Sequence, residues 1–408
     1  MTRQKYIALI LILGSLTALG PFSIDMYLPG FPAIAEDLHT TVSKVSLSLS
    51  SYFIGISAGQ LLYGPLLDRF GRKTPLYIGL AVYIMASVGC ALVTDIDTFI
   101  ALRFIQAVGS CAAAVASMAM VRDLFPVADS PKVFSLLMLV VGLSPMLAPT
   151  IGGYVIAGFG WHIIFVILGL MGFAVLLASR FGLPHTHEPD KSISLKPRPI
   201  LTNFAKVFSN PQFYTYALSG GVAFSGLFTY VAGSPILFMD IFKVTGETYG
   251  WIFAFMSVSF IGTSQLNSLL LRRYKSEQLV YFGLTLQALI SIAFLVAAIN
   301  NWLDLYGTIA MLFLYLGCLG LTNPNTAGLS LAPFTNNAGS ASALLGAMQL
   351  GLGALASMVV GILVKESMVP MVVIMAGSTV IALLILLIGR RNITTLAENT
   401  DGDSVVMH

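Results

Sequence analysis

Long apolar runs dominate this chain, and short clusters of charge, Gly, Pro and Asn interrupt them at intervals. A helix needs about 20 mostly apolar residues to cross a bilayer. Backbone groups in lipid must be bonded within their own segment, so such runs are expected to be helices. The pattern predicts twelve spans, near 6–28, 45–67, 74–94, 98–121, 133–157, 161–179, 212–236, 248–271, 278–299, 307–331, 340–364 and 367–389. Residues 305–364 carry no charge, so the tenth and eleventh spans are divided at Pro333-Phe334-Thr335-Asn336-Asn337-Ala338-Gly339, which reads as a turn. The run from Tyr6 to Ile24 follows Met1-Thr2-Arg3-Gln4-Lys5. It is long for a signal peptide and has no clear small-residue cleavage site after it, so a retained first span is expected.

Composition agrees with that pattern. Of the 408 residues 57% are hydrophobic and 10% charged, against roughly 25% charged in ordinary soluble domains. The net charge of +3, without runs of Lys and Arg, implies no nucleic-acid partner. Cys90, Cys111 and Cys318 lie in apolar stretches without CxxC or Cys/His spacing, so neither a disulfide framework nor a metal site is expected.

Charge also orients the chain. With the N-terminus in the cytoplasm and twelve alternating spans, 17 of the 21 Lys and Arg residues fall on the cytoplasmic side. Lys44, Lys243 and Lys365 fall outside, and Arg103 lies within a span. The longest polar connection, 182–210, has six spans before it and six after. The expected organisation is a six-helix bundle over 1–181, a cytoplasmic linker over 182–210, a second six-helix bundle over 211–389 and a polar, disordered cytoplasmic tail over 390–408. A 6+6 arrangement is what transporters built from repeated halves show.

Three features carry chemistry. Between the second and third spans stands Gly64-Pro65-Leu66-Leu67-Asp68-Arg69-Phe70-Gly71-Arg72-Lys73-Thr74-Pro75. Its glycines allow a tight reversal and close helix approach. Asp68 with Arg69, Arg72 and Lys73 can form a charge network beneath the helix ends, although the cations alone would also serve as a positive-inside anchor. In the fifth span, Gly142-Leu143-Ser144-Pro145-Met146-Leu147-Ala148-Pro149-Thr150-Ile151-Gly152-Gly153 places Pro145 and Pro149 four apart. The prolines remove backbone donors and favour a bend, and Gly152 and Gly153 permit tight packing; a purely structural kink fits the same residues. The third feature is a pair of intramembrane charges, Asp25 and Arg103. Such residues are costly in lipid and default to function. Both are expected in the outer half, at about 6–8 Å depth on a 1.5 Å rise, where they can share a cavity and interact. An interfacial carboxylate for Asp25 and a carbonyl-binding structural cation for Arg103 are the competing readings.

The Gly64–Pro75 loop closely resembles the signature loop of the major facilitator superfamily. In relatives this loop latches the cytoplasmic side, and Asp123, at the inner end of the fourth span, corresponds to a residue that joins the latch. The fifth-span motif looks like that of the family's antiporters, except that Ala148 stands where a glycine before proline is typical. Asp25-Met26-Tyr27-Leu28-Pro29 and Arg103-Phe104-Ile105-Gln106-Ala107-Val108-Gly109 look like motifs of drug/proton antiporters, and the chain is similar to the bicyclomycin and chloramphenicol resistance (Bcr/CflA) branch. The resemblance is strongest from Pro21 to Gly153. It is weaker in the second half, where Gly233-Ser234-Pro235 is an echo and Arg272-Arg273-Tyr274-Lys275 a degraded counterpart of the signature loop.

The resemblance implies an all-α membrane protein of the major facilitator fold in a bacterial inner membrane, with both termini cytoplasmic, working as a monomer. It implies export of small drug-like compounds in exchange for protons, with no cofactor beyond the proton gradient. A nutrient symporter or facilitator of the same superfamily is the alternative. Asp25 and Arg103 are then the coupling pair. Tyr27, Tyr52, Gln106, Phe224, Phe228, Tyr230, Asn323, Asn325 and Gln349 are candidates for a largely apolar substrate cavity with few polar anchors. The same aromatic residues also suit packing or lipid contact. An enzyme is not expected. Gly55-Ile56-Ser57-Ala58-Gly59 fits a nucleophile pattern but lacks a triad partner, and it fits GxxxG helix packing better. His185 and His187, a lone pair in a polar loop, do not make a metal site.

Overall fold

The computed structural model describes residues 3–125, 130–184, 197–334, 338–364 and 367–393. The His185–Lys191 segment, residues 335–337 of the proposed turn, and the tail from 394 onward lie outside them. Helices α1 to α14 run in chain order as Arg3–Asp25, Phe31–Asp37, Val42–Phe70, Lys73–Leu92, Ile96–Leu124, Ser130–Phe159, His162–Gly182, Pro197–Phe208, Pro211–Pro235, Gly246–Leu270, Ser276–Ile299, Leu305–Leu331, Ala338–Leu363 and Val369–Gly389. Among the described residues there is no strand. Among the described residues, twelve segments are long and apolar enough to cross a membrane, and each overlaps a span expected from the sequence.

Local chemistry sets the helix ends. Asp95 accepts a hydrogen bond from the Thr98 backbone N–H (2.8 Å) to start α5, and Asp304 accepts from that of Gly307 (2.7 Å) to start α12. This bond holds the exposed Asp95 carboxyl below the usual carboxylate range. Gly71 (φ 78°) and Gly160 (φ 80°) turn the chain where only glycine is comfortable.

The structure departs from the expected spans in three places. The first span breaks after Asp25, where a prolyl 3-10 turn (Leu28–Gly30) leads into α2. Pro29 and Pro32 cannot donate backbone bonds, which divides what the apolar pattern reads as a run into a loop. The 182–210 connection contains α8. Its Val207 packs with Phe213, Ala217, Ala341 and Leu345. Beyond Pro235, α9 continues as a π-helical segment, Ile236–Ile241, the wider coil that often follows a lost backbone donor.

Two compact units emerge. The first comprises Met1–Leu195, Ala232–Ser257 and Ser357–Ser367; the second comprises Lys196–Val231, Val258–Ala356 and Met368–His408. In the first, α5 packs on α1, α3 and α4, while α7 packs on α1 and α4. Small residues permit the close approach. A Cβ on Gly55 or Gly59 would lie 2.7 Å from the Cβ of Ala107 or Cys111, so the GxxxG pair serves packing. A Cβ on Gly109 would lie 2.6 Å from the Tyr83 backbone nitrogen. In the second unit, α11 packs on α12 and α14, around Tyr216, Val280, Leu284, Leu319 and Leu386. Outward-facing Leu11, Met85, Leu92 and Phe181 leave much apolar surface uncovered, as suits a protein solvated by lipid.

Gly109→Ala is expected to destabilise the purified protein by about 1–3 kcal/mol, because the added methyl meets backbone that cannot yield. Gly262, with nothing near its would-be Cβ, should tolerate alanine without loss. Thermal unfolding in detergent reads both, and equal melting temperatures for the two variants would contradict the close α4–α5 crossing.

Candidate functional site

Within the described residues, Asp25 and Arg103 are the only acid and base in the buried class, at 5% and 0% exposure. Both belong to the first unit. The α1 helix ends at Asp25, so carbonyls of its last turn lack intrahelical partners. Arg103 fills one vacancy. Its Nη2 donates to the Ser23 carbonyl oxygen (2.8 Å) and its Nη1 to Gln106 Oε1 (2.5 Å). The guanidinium carbon lies 4.2 Å from the ring centre of Tyr27, 4.3 Å from Tyr52 and 5.6 Å from Phe165. Aromatic faces stabilise a desolvated cation.

These contacts close a polar circuit through three helices. Gln106 Nε2 donates to Ser87 Oγ (2.8 Å), and Ser87 Oγ donates to the Tyr83 carbonyl (2.7 Å). The Tyr83 hydroxyl is bonded to Ser23 Oγ (2.8 Å), on the residue whose carbonyl Arg103 holds. Tyr27 and Tyr52 are tied down through their hydroxyls to Ser48 (3.0 Å) and Ser110 (2.8 Å). The expected interaction of Asp25 with Arg103 is not made: no ion pair within 4.0 Å joins them. The guanidinium is drawn instead to the orphaned carbonyl two residues earlier. Tyr27, Tyr52 and Gln106, expected in a substrate cavity, surround Arg103 and are sealed from solvent.

The fifth-span motif seals the same end. Both Pro145 and Pro149 lie within the unbroken helix α6. A Cβ on Gly152 would lie 2.0 Å from the Met26 carbonyl oxygen, and one on Gly153 would lie 2.7 Å from that of Gly246. Across this contact, Thr150 Oγ1 donates to the Gly250 carbonyl (3.2 Å). The glycines let α6 lie flush against the break after α1 and the start of α10. On another side, the hydroxyls of Ser50 and Ser357 bond at 2.7 Å, and Ser43 Oγ donates to the Val364 carbonyl.

At the opposite ends of these helices, Arg72 bridges two acids. Its Nη1 donates to Asp68, and its Nε donates to Asp123 Oδ2 (2.9 Å). Burial disfavours the Arg72 charge, but the hydrogen bonds to Asp123 and Asp68 outweigh it and hold the guanidinium above its ordinary pKa. The network ties the α3–α4 turn to the end of α5. Arg69 lies over Phe70 (5.8 Å), and Lys73 opens α4. Gly71 makes the reversal, whereas Gly64 has open space where its Cβ would be and supports no close approach.

The remaining candidates lie in the second unit. Phe224 and Phe228 pack edge to face at 5.4 Å. Gln349 Nε2 donates to Asn323 Oδ1 (3.2 Å). Asn325 Nδ2 donates to Asn267 Oδ1 (2.6 Å) and to the Leu321 carbonyl, in a separate buried pair. Tyr230 is buried. Ser23, Tyr83, Ser87 and Asn267 were not among the sequence candidates. Their signal was polarity inside apolar spans, which is weak for hydroxyls because they usually bond their own helix.

Twelve apolar spans, with a buried acid, a caged arginine and close-packed glycine contacts in the first unit, define a multi-pass helical membrane protein. The chain belongs to the Major Facilitator Superfamily, whose profile matches residues 13–358. It is 34% identical to the uncharacterized MFS-type transporter YdgK of Bacillus subtilis, over 93% of this chain and 94% of that one. It is 31% identical to a bicyclomycin resistance protein homolog of Haemophilus influenzae, over 94% and 96% of the two chains. It is also 31% identical to the multidrug resistance protein MdtL of Escherichia coli, over 88% and 93%. The fold is shared with a D-xylose-proton symporter (TM-score 0.75, 15% identity, 93% and 97% covered) and with a bacterial homologue of human Spinster (TM-score 0.72, 14% identity, 95% and 96% covered). The family and fold expected from the signature loop therefore stand.

Gln106→Leu removes both the acceptor of Arg103 and the donor to Ser87. It is expected to cost about 1–3 kcal/mol for the buried groups left unpaired. Ser268→Ala, which loses only an exposed bond to Gln265 in its own helix, should be neutral. Thermal unfolding of both purified variants checks this, and an unshifted Gln106→Leu would show the circuit to be energetically idle.

Proposed function

We propose that this chain exports small drug-like or amphiphilic compounds from the cytoplasm in exchange for protons. The observation that carries the reading is that Asp25 is the one described acid buried among the spans, at the point where α1 breaks. The names of the H. influenzae and E. coli relatives, which speak of bicyclomycin and multidrug resistance, support the class of cargo. The α6 contacts made by Gly152 and Gly153 support a carrier that closes one end around its cargo.

In this reading the Asp25 end faces outside and the Arg72 end faces the cytoplasm, as the Lys and Arg bias implies. The protein works as a monomer in a bacterial inner membrane, with both termini inside. Bundles over 1–181 and 211–389, joined by 182–210, rock about a central site, which Phe224, Phe228, Tyr230, Asn323, Asn325 and Gln349 help to line. Asp25 takes a proton from outside, and protonation favours release of cargo there. The proton then leaves to the cytoplasm, where cargo binds again. Arg103 does not exchange the proton: held by Ser23 and Gln106, it positions the end of α1. Each 100 mV supplies about 2.3 kcal/mol per proton, enough for a gradient of roughly 50-fold. The Arg72 bridge steadies the cytoplasmic ends of α3, α4 and α5 through each cycle.

Asp25→Asn should abolish drug accumulation driven by a pH gradient in everted vesicles while the purified protein stays monodisperse. Wild-type vesicles should release protons from their lumen when drug is added outside. Persistent exchange in the Asn variant would remove Asp25 from the coupling. Proton uptake in the same direction as cargo would identify a symporter.

A further inference from the structure

A second site lies on the exposed surface of the second unit, where α10 ends and α11 and α14 meet. Two adjoining clefts, of about 540 and 490 Å³, share Gln278 and Phe282. The first is lined at its polar end by Lys275, Glu277 and Arg390 and continues along Tyr281, Phe282 and Thr285. The second is walled by Leu270, Tyr274 and Leu279. Lys275 and Glu277 flank the start of α11, and Arg390 directly follows α14. Thr285 lies nine residues into α11, which is about 13 Å along the helix at 1.5 Å per residue. The groove therefore runs from a charged rim at the helix ends down into the apolar zone. Phe282 is 59% exposed and Tyr274 50%, apolar surface with an amphipathic edge.

The rim is cationic. Arg272, Arg273, Lys275, Arg390 and Arg391 lie at these helix ends, all exposed, together with the carboxylate of Glu277. Arg390 Nε donates to Glu277 Oε1 (2.7 Å). That bond turns the guanidinium toward the cleft and uses one of its five N–H donors. Two of these cations and a carboxylate edge a cleft whose floor is apolar, and the remaining cations raise the positive potential around it. The chemistry matches a molecule with a phosphate at one end and a hydrocarbon chain at the other.

We propose that this groove binds an anionic phospholipid of the cytoplasmic leaflet, with its phosphate held by Lys275 and Arg390 and an acyl chain laid along Tyr281, Phe282 and Thr285. The site goes beyond transport and does not depend on the proton-coupling reading. Its signal in the sequence is the Arg272-Arg273-Tyr274-Lys275 turn, which sets three cations beside the start of α11.

The test uses the full chain, delipidated in detergent and given equimolar dioleoyl phosphatidylglycerol and dioleoyl phosphatidylcholine, with retained lipid counted by native mass spectrometry. Wild type should retain phosphatidylglycerol preferentially. K275Q/R390Q should weaken that binding on the order of 20-fold, since each cation near a membrane surface contributes about 5-fold. E277Q, which removes the competing carboxylate, should strengthen it. This opposite sign separates recognition from damage to the fold. Equal retention of both lipids by wild type, unchanged binding in K275Q/R390Q, or weaker binding in E277Q would overturn the proposal. So would competition by soluble glycerol 1-phosphate as effective as that by the lipid, which would reduce the site to one for free phosphate.

Discussion

A guanidinium with no exposed surface, placed among apolar spans, must satisfy its charge from what surrounds it. Arg103 does so by taking a backbone carbonyl, a side-chain amide and two tyrosine faces. The carbonyl is available only because α1 stops at Asp25. The helix break and the buried cation are therefore one arrangement: the break exposes an acceptor, and the cation makes the break tolerable in a medium without water. Through Gln106, Ser87 and Tyr83 the same cation fixes α4 and α5 against α1. Asp25 is held in place by this network without being a member of it.

The two ends of the first unit are held by different forces. Next to Asp25, backbone meets backbone where Gly152 faces Met26, and the same helix bonds Gly250 through Thr150, while α3 is held by single hydroxyls such as Ser50 on Ser357. Such contacts depend on fit and vanish if the helices separate by an ångström or two. Near Arg72 a cation lies between two carboxylates, and attraction between charges falls off more gradually with distance. One end thus behaves as a fitted joint and the other as an electrostatic tether.

The periodicity of apolar runs is a strong signal, and all twelve spans were legible from it because lipid demands length and apolarity above all. What escaped were features that depend on neighbours rather than on the run. Helix α8 lies in a stretch whose Lys196-Pro197-Arg198-Pro199 reads as linker, yet Ile200, Leu201, Phe204, Val207 and Phe208 recur there at helical spacing, a signal shorter than a membrane span. The pairing expected between Asp25 and Arg103 follows from charge and depth, but depth does not say which acceptor lies nearer, and a carbonyl carries no sequence signal. Gly64 and Gly71 look alike in the loop, yet only Gly71 occupies a left-handed backbone. Gly152 and Gly153 were legible as packing residues, though their partners, Met26 and Gly246, were not.

The kind of contact near Asp25 bears on how little energy a cycle needs. A seal of large interlocked apolar side chains would resist opening with several kcal/mol per residue. Here Gly152, Gly153 and Thr150 make the contacts to Met26, Gly246 and Gly250, and a hydroxyl bond of this kind contributes about 1 kcal/mol net. In the proposed cycle one proton brings about 2.3 kcal/mol per 100 mV, which is comparable to two such bonds. The break after Asp25 puts the titrating group one residue from the Met26 carbonyl that Gly152 meets. In the proposed cycle a change of charge at Asp25 acts on this fitted joint directly, and no relay through Arg103 is needed. Arg103, held by Ser23 and Gln106, has the opposite task in that proposal, since a joint that opens cleanly needs a partner surface that does not deform.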